Sequence, residues 1–162
     1  MQDVKEMMTA PDFKMMDSEG KEVTLSQYRD NKRVVLIFNR GFSCQYCRRH
    51  MGQLRQDYQK FIERDTEVIA VGSEDTAPFS YFWRQERMPF IGIPDCKHSV
   101  ANLFGQKVDQ FKLPSLIIID KSGKIRFRHF GNSMSDIPTN DEVLSLLDQL
   151  SEEFAQEVQR SW

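Results

Sequence analysis

Apolar residues recur along this chain in two alternating rhythms, short continuous runs and stripes at helical spacing. Residues 33–38 (Arg-Val-Val-Leu-Ile-Phe) and 67–72 (Glu-Val-Ile-Ala-Val-Gly) are runs of strand length with no polar alternate face, the pattern of strands covered on both sides. Between them Met51, Leu54, Tyr58, Phe61 and Ile62 return every three or four positions, which predicts an amphipathic helix over 47–64. Strand, helix, strand in that order is a βαβ crossover, expected to be right-handed. The alternation continues to the end of the chain and predicts an α/β domain with a largely parallel sheet.

The same reading places the remaining elements. Residues 13–16 and 22–25 are strand-like pieces joined by the turn Asp17-Ser18-Glu19-Gly20. A helix is expected over 77–87, burying Phe79, Phe82 and Trp83, then a strand over 89–93, then helical residues at 100–104 closed by Gly105. Residues 115–120 and 124–130 flank Lys121-Ser122-Gly123 and form an antiparallel hairpin. A final helix from about Asp141 carries Val143, Leu144, Leu146, Leu147, Leu150 and Phe154 as its buried stripe. With no internal repeat and no linker, residues 1–162 read as a single domain.

Charge and composition narrow the classes. Charged residues make up 28% and apolar ones 40%, with a net charge of −2 and both signs interspersed, so there is no basic stripe for nucleic acid. The longest apolar runs are far too short to span a bilayer, and the first residues lack the apolar segment of a secretory signal, which together read as a cytoplasmic protein. Three cysteines are an odd set, unsuited to a disulfide framework; they are reactive, metal-binding or buried.

The chemistry concentrates in Phe38-Asn39-Arg40-Gly41-Phe42-Ser43-Cys44-Gln45-Tyr46-Cys47-Arg48-Arg49-His50. Ser43 as a helix cap would set Cys44 and Cys47 in the first turn, beneath unpaired backbone N–H groups and near the charges of Arg40, Arg48 and Arg49. Such surroundings stabilise thiolate, the form that attacks peroxides and disulfides. Two intervening residues let the sulfurs close a disulfide within one turn, so one thiol resolves what the other attacks. A metal site is the competing reading: Cys44, Cys47 and His50 have knuckle-like spacing, and Cys96 with His98 would complete four ligands. Against it, a strand and a helix already fix this geometry without metal. Considered singly, His50, His98 and His129 are ordinary surface histidines. Pro114, just before a β-run, suits either a cis peptide in a tight turn or a plain trans proline opening a strand.

Ala10-Pro11-Asp12-Phe13, Asp17, Gly20, Leu25, Tyr28, the run 34–38, the strand 68–73, the segment 89–95 with Val100, Ala101, Phe104 and Gly105, and finally 116–123 together resemble the peroxiredoxins of the alkyl hydroperoxide reductase / thiol-specific antioxidant group, within the thioredoxin-fold superfamily. The likeness covers about residues 8–150, and Phe-x-Arg-Gly-x-x-Cys-x-Tyr-Cys-Arg is most similar to a branch bearing a C-x-x-C pair. It implies a thioredoxin-like α/β fold with a central mixed sheet flanked by helices, an active site at the C-terminal ends of the central strands, and Pro114 in the superfamily's cis-proline position. By register from Phe38, Cys47 falls at the family's peroxidatic position and Cys44 replaces its threonine. Helix-end chemistry instead favours Cys44 as the nucleophile, so the order stays open.

Two positions depart from the family. Arg40 stands where the active-site proline would be, and Pro114 where typical members have the arginine that polarises the peroxide. Arg40 would then supply the missing charge. The expected site is therefore Cys44, Cys47, Arg40 and Pro114, with no organic cofactor and no metal. Cys96 should emerge at the same sheet edge, as a third resolving thiol or, preferred, a half-buried cysteine without a role. The leading expectation is a thiol peroxidase that reduces hydroperoxides and is regenerated by a thioredoxin-like or other dithiol reductant; a homodimer is compatible with the resemblance. The rivals are a thioredoxin-like reductase of protein disulfides and a non-catalytic metal-binding or regulatory domain.

Overall fold

The computed structural model describes residues 8–42, 44–105 and 113–161. Its elements follow in the order β1 (Met8–Thr9), β2 (Lys14–Met16), β3 (Glu22–Thr24), a 3₁₀ turn (Leu25–Tyr28), β4 (Arg33–Asn39), α1 (Gln45–Ile62), β5 (Thr66–Gly72), α2 (Thr76–Gln85), β6 (Ile91–Pro94), α3 (Ser99–Leu103), β7 (Ser115–Ile119), β8 (Lys124–Phe130) and α4 (Asn140–Arg160). Six strands form one sheet in the order β1-β8-β7-β4-β5-β6, and β2 pairs with β3 separately. The sheet is mixed rather than largely parallel. β4, β5 and β6 run parallel, as the crossover requires, while β7 pairs antiparallel with both β4 and β8.

Every residue of β4 is buried, and its alternation divides the core in two. Val35 and Ile37 face a cluster with Met51, Leu54 and Phe61 of α1, Phe79 and Trp83 of α2, and Val143, Leu147 and Leu150 of α4. Val34, Leu36 and Phe38 face the other cluster, with Phe13, Val23, Leu25, Val100 and Phe104. Helices therefore cover both faces of the central strands, which is why β4 carries no polar alternate face. That double burial fixes the register of β4, and with it where the segment after Asn39 leaves the sheet.

Local chemistry sets the ends. Asp120 accepts from the backbone N–H of Ser122 and Lys124 at the β7–β8 turn, where Gly123 takes φ 83°. Thr139 caps α4 by accepting from the N–H of Glu142 at 3.2 Å. The stripe of α4 is buried from Val143 to Leu150, but Phe154 is exposed, because the helix there runs past the sheet. Its ring sits against cations instead, with the Lys121 ammonium 4.8 Å and the Arg33 guanidinium 6.0 Å from the centroid. Among the described residues no helix is long and apolar enough to cross a membrane.

Candidate active site

β4 ends at Asn39 and α1 begins at Gln45, so the cysteine segment crosses from the buried centre of the sheet to a helix N-terminus. The connection is anchored by aromatic packing. Phe42 is buried against Phe79, Phe82 and Trp83, with ring centroids 5.0, 4.0 and 5.8 Å away. Its N–H donates to the Glu74 carboxylate, and its carbonyl accepts from Arg48 Nη1 at 2.8 Å. The Ser73 hydroxyl donates to the Arg40 carbonyl at 2.7 Å. Gly41 passes through φ 145°, and a Cβ there would fall 2.5 Å from Glu74 Oε1. Three elements thus hold this loop before any cysteine is reached.

Cys44 is the N-cap of α1, with extended backbone, and Cys47 is the third helical residue. Ser43 lies outside the described residues; the expectation that it caps the helix gives way to Cys44, whose carbonyl accepts the Arg48 N–H at 3.1 Å. Cys44 is half-buried and Cys47 buried, and neither is in a disulfide. Partial burial pushes the Cys44 thiol up, but the backbone N–H of Cys47, the Cys47 thiol, the N–H of Tyr46 and the Arg40 charge outweigh it and hold Cys44 below an ordinary thiol. Burial dominates at Cys47 and pushes it up to about 11, with the neighbouring Cys44 adding to the rise against N–H groups of Arg40 and Gly41. One turn of helix therefore carries an acidic, reachable thiol and a neutral, shielded one.

The arginines divide the work. Arg40 is exposed and acts on Cys44 through its charge, whereas Arg48 ties the loop and Arg49 lies over the Tyr46 ring at 5.9 Å. Pro114 is brought to the site as expected, lining with Cys47 a cavity of about 200 Å³. Its conformation is not as expected. No peptide bond between described residues is cis, so Leu113–Pro114 is trans. The trans form is the intrinsically favoured one, and here the Pro114 carbonyl accepts the Gly131 N–H at 2.9 Å, extending the β7–β8 ladder by one rung.

Cys96 follows β6 at the same sheet edge but is exposed, not half-buried. β5 lies between β6 and β4, a lateral offset of about 10 Å at ordinary strand spacing. Among the described residues no three His, Cys, Asp or Glu side chains are grouped to hold a metal ion, which removes the geometric basis of the Cys44, Cys47, His50 alternative. His50 is not a surface residue. It is 7% exposed on the inner face of α1, and burial lowers its pKa to about 4. The signal was present: His50 is three residues after Cys47 and immediately before Met51, on the helix's buried stripe. Glu74 was missed for a different reason, since its role depends on β5 ending beside β4.

A dithiol at a helix N-terminus, set where a central parallel strand ends and flanked by a proline just before a neighbouring strand, is the arrangement of a thioredoxin-fold dithiol site. The sequence profile of the AhpC/TSA family matches residues 8–128, and the chain belongs to that family. It is 27% identical over 143 residues to the chloroplastic peroxiredoxin Q of Populus jackii, covering 86% of this chain and 66% of that one. It is 33% identical over 119 residues to the thiol-disulfide oxidoreductase ResA of Geobacillus thermodenitrificans, covering 73% and 65%. The crystal structure of peroxidoxin BcpB from Mycobacterium tuberculosis superposes with a TM-score of 0.78 at 21% identity, over 91% of this chain and 98% of that one. The chain spans 55–66% of the length of the peroxiredoxin Q relatives from Populus, rice and wheat.

Proposed function

We propose that the protein is a thiol peroxidase working through a Cys44/Cys47 dithiol–disulfide cycle. The observation that carries this is the difference in access within one turn: Cys44 is half-buried at the open N-terminal end of α1, and Cys47 is buried beneath it, with the surrounding N–H groups holding Cys44 below an ordinary thiol. Cys44 thiolate attacks the terminal peroxide oxygen, the O–O bond breaks, and the leaving alkoxide or hydroxide takes up a proton. Cys44 becomes a sulfenic acid. Cys47 then attacks that sulfur, forming the disulfide and releasing water, and an external dithiol of the thioredoxin class returns both sulfurs to thiols. The likeness to peroxiredoxin Q supports the peroxide as substrate.

A second reading keeps the site and changes the oxidant to a protein disulfide. Pro114, standing where typical family members have an arginine, and the likeness to ResA favour it. Stopped-flow mixing of reduced protein with hydrogen peroxide separates the two. Trp83 touches Phe42, two residues before Cys44, and reports the site by fluorescence. Oxidation orders of magnitude faster than a free thiol is the expected result. A rate no better than free thiol, with rapid insulin reduction, would transfer the assignment to the reductase.

A further inference from the structure

Arg33 opens β4 at the end of the sheet away from the cysteines, about 20 Å from Asn39 at the strand's other end. It is 3% exposed, yet among the described residues its guanidinium makes one hydrogen bond, from Nη1 to the Arg64 carbonyl at 3.1 Å, and no ion pair. Burial pulls its pKa below the ordinary value, against the raising influence of the Asp65 and Asp120 charges. A buried charge without a counter-ion is unfavourable. Arg126, the other buried arginine at this end, shows the usual remedy: Nη1 meets Asp120 at 3.3 Å and Nη2 meets Glu153 at 2.9 Å.

Arg33 lines a cavity of about 230 Å³ between the β7–β8 turn and α4. Phe154 is exposed there, its ring centroid 6.0 Å from the Arg33 guanidinium carbon and 4.8 Å from Lys121 Nζ. Buried Leu150 adds a further apolar wall. Lys121 pairs with the exposed Asp65 at 3.2 Å, a contact of the kind that contributes little and yields easily. An unpaired guanidinium, a loosely held ammonium and an open aromatic ring thus meet in one hollow.

The acids of the lining set the charge of what fits. Asp120 already accepts from the N–H groups of Ser122 and Lys124 and pairs with Arg126, and Glu153 pairs with Arg126 as well. Asp30 and Glu157 also line the cavity and are exposed. The unanswered positive charge is therefore the buried one, with negative charge nearer solvent. That arrangement favours a single negative charge directed inward and disfavours a dianion such as phosphate.

We propose that this cavity binds a small aromatic monocarboxylate, its carboxylate against Arg33 and Lys121 and its ring against Phe154. A guanidinium and a carboxylate form a strong two-pronged pair, and a flat ring gains from packing on another. The site is separate from the dithiol and does not depend on which substrate the cysteines reduce.

Benzoate is the probe, used with the full chain. Titration should shift the backbone amide NMR signals of Lys121, Ser122 and Phe154 saturably and raise the thermal unfolding midpoint. Benzamide, which keeps the shape without the charge, and inorganic phosphate, which keeps charge without the ring, should each bind at least about tenfold more weakly. Arg33→Gln should weaken benzoate at least about tenfold. Phe154→Ala, at an exposed position, should weaken it about three- to tenfold. Absence of benzoate binding, or shifts confined to other parts of the surface, overturns the proposal. So does benzamide or phosphate binding as tightly as benzoate, or unchanged affinity in either variant. If Arg33→Gln does not fold, Phe154→Ala and the benzamide comparison decide by the same criteria.

Discussion

Cys47 donates its thiol hydrogen to the sulfur of Cys44 one helical turn away, so the shielded cysteine helps to ionise the reachable one. Each sulfur then has one task. Cys44→Ser should abolish the fast reaction with peroxide. Cys47→Ser should permit one oxidation per chain, leave a sulfenic acid that dimedone traps, and block turnover with a dithiol reductant. Mass spectrometry of the trapped protein checks both variants, and label at Cys47 in Cys44→Ser would reverse the order.

Arg40 is exposed, and its charge is the last and smallest of the named influences on Cys44. If it acts only by lowering the Cys44 pKa, Arg40→Leu should cost about two- to fivefold in peroxide rate at neutral pH, since an exposed charge is worth about 1 kcal/mol at most. A guanidinium that also touches the peroxide oxygen would be worth about a hundredfold. Stopped-flow rates across a range of ionic strength distinguish the two, because the smaller effect is screened by salt. An unchanged rate would remove Arg40 from the site.

Gly41 takes a backbone conformation that side chains disfavour, and the space a methyl would need is filled by Glu74. Gly41→Ala should therefore destabilise the fold by about 1–3 kcal/mol. It should also loosen the Glu74 contact to Phe42 and slow the Cys44 reaction. Denaturant unfolding followed by Trp fluorescence measures the first effect. Wild-type stability in this variant would mean that the loop has room to rearrange.

Much of this was written in the hydrophobic pattern. β4, β5, α1 and the β7–β8 hairpin are local features with one dominant period each, and they appear within two or three residues of where periodicity puts them. The C-x-x-C pair was equally plain. What stayed hidden depends on contacts distant in sequence. The grip of Glu74 on Phe42 and the trans bond before Pro114 are decided by which elements meet, and spacing along one element does not carry that. Phe154 fits its helical stripe perfectly well, yet it is exposed because the stripe outlasts the layer beneath it.

His50 also gives the fold a pH signature. Its folded pKa is depressed from 6.5 to about 4, so the unfolded chain binds more protons between those values. Stability should fall as pH drops through that window, by about 3 kcal/mol once both limits are passed. His50→Gln should lack this part of the acid sensitivity. Chemical unfolding of both proteins from neutrality to mild acid checks it, and parallel profiles would show that His50 protonates without cost.

Ultraviolet absorbance of thiolate, titrated against pH in the reduced protein, tests the central claim most directly. One thiolate should titrate below the ordinary thiol range and disappear in Cys44→Ser, while a second appears only in strongly alkaline solution and disappears in Cys47→Ser. If both sulfurs titrate together as ordinary thiols, α1 does not separate their roles and the account fails.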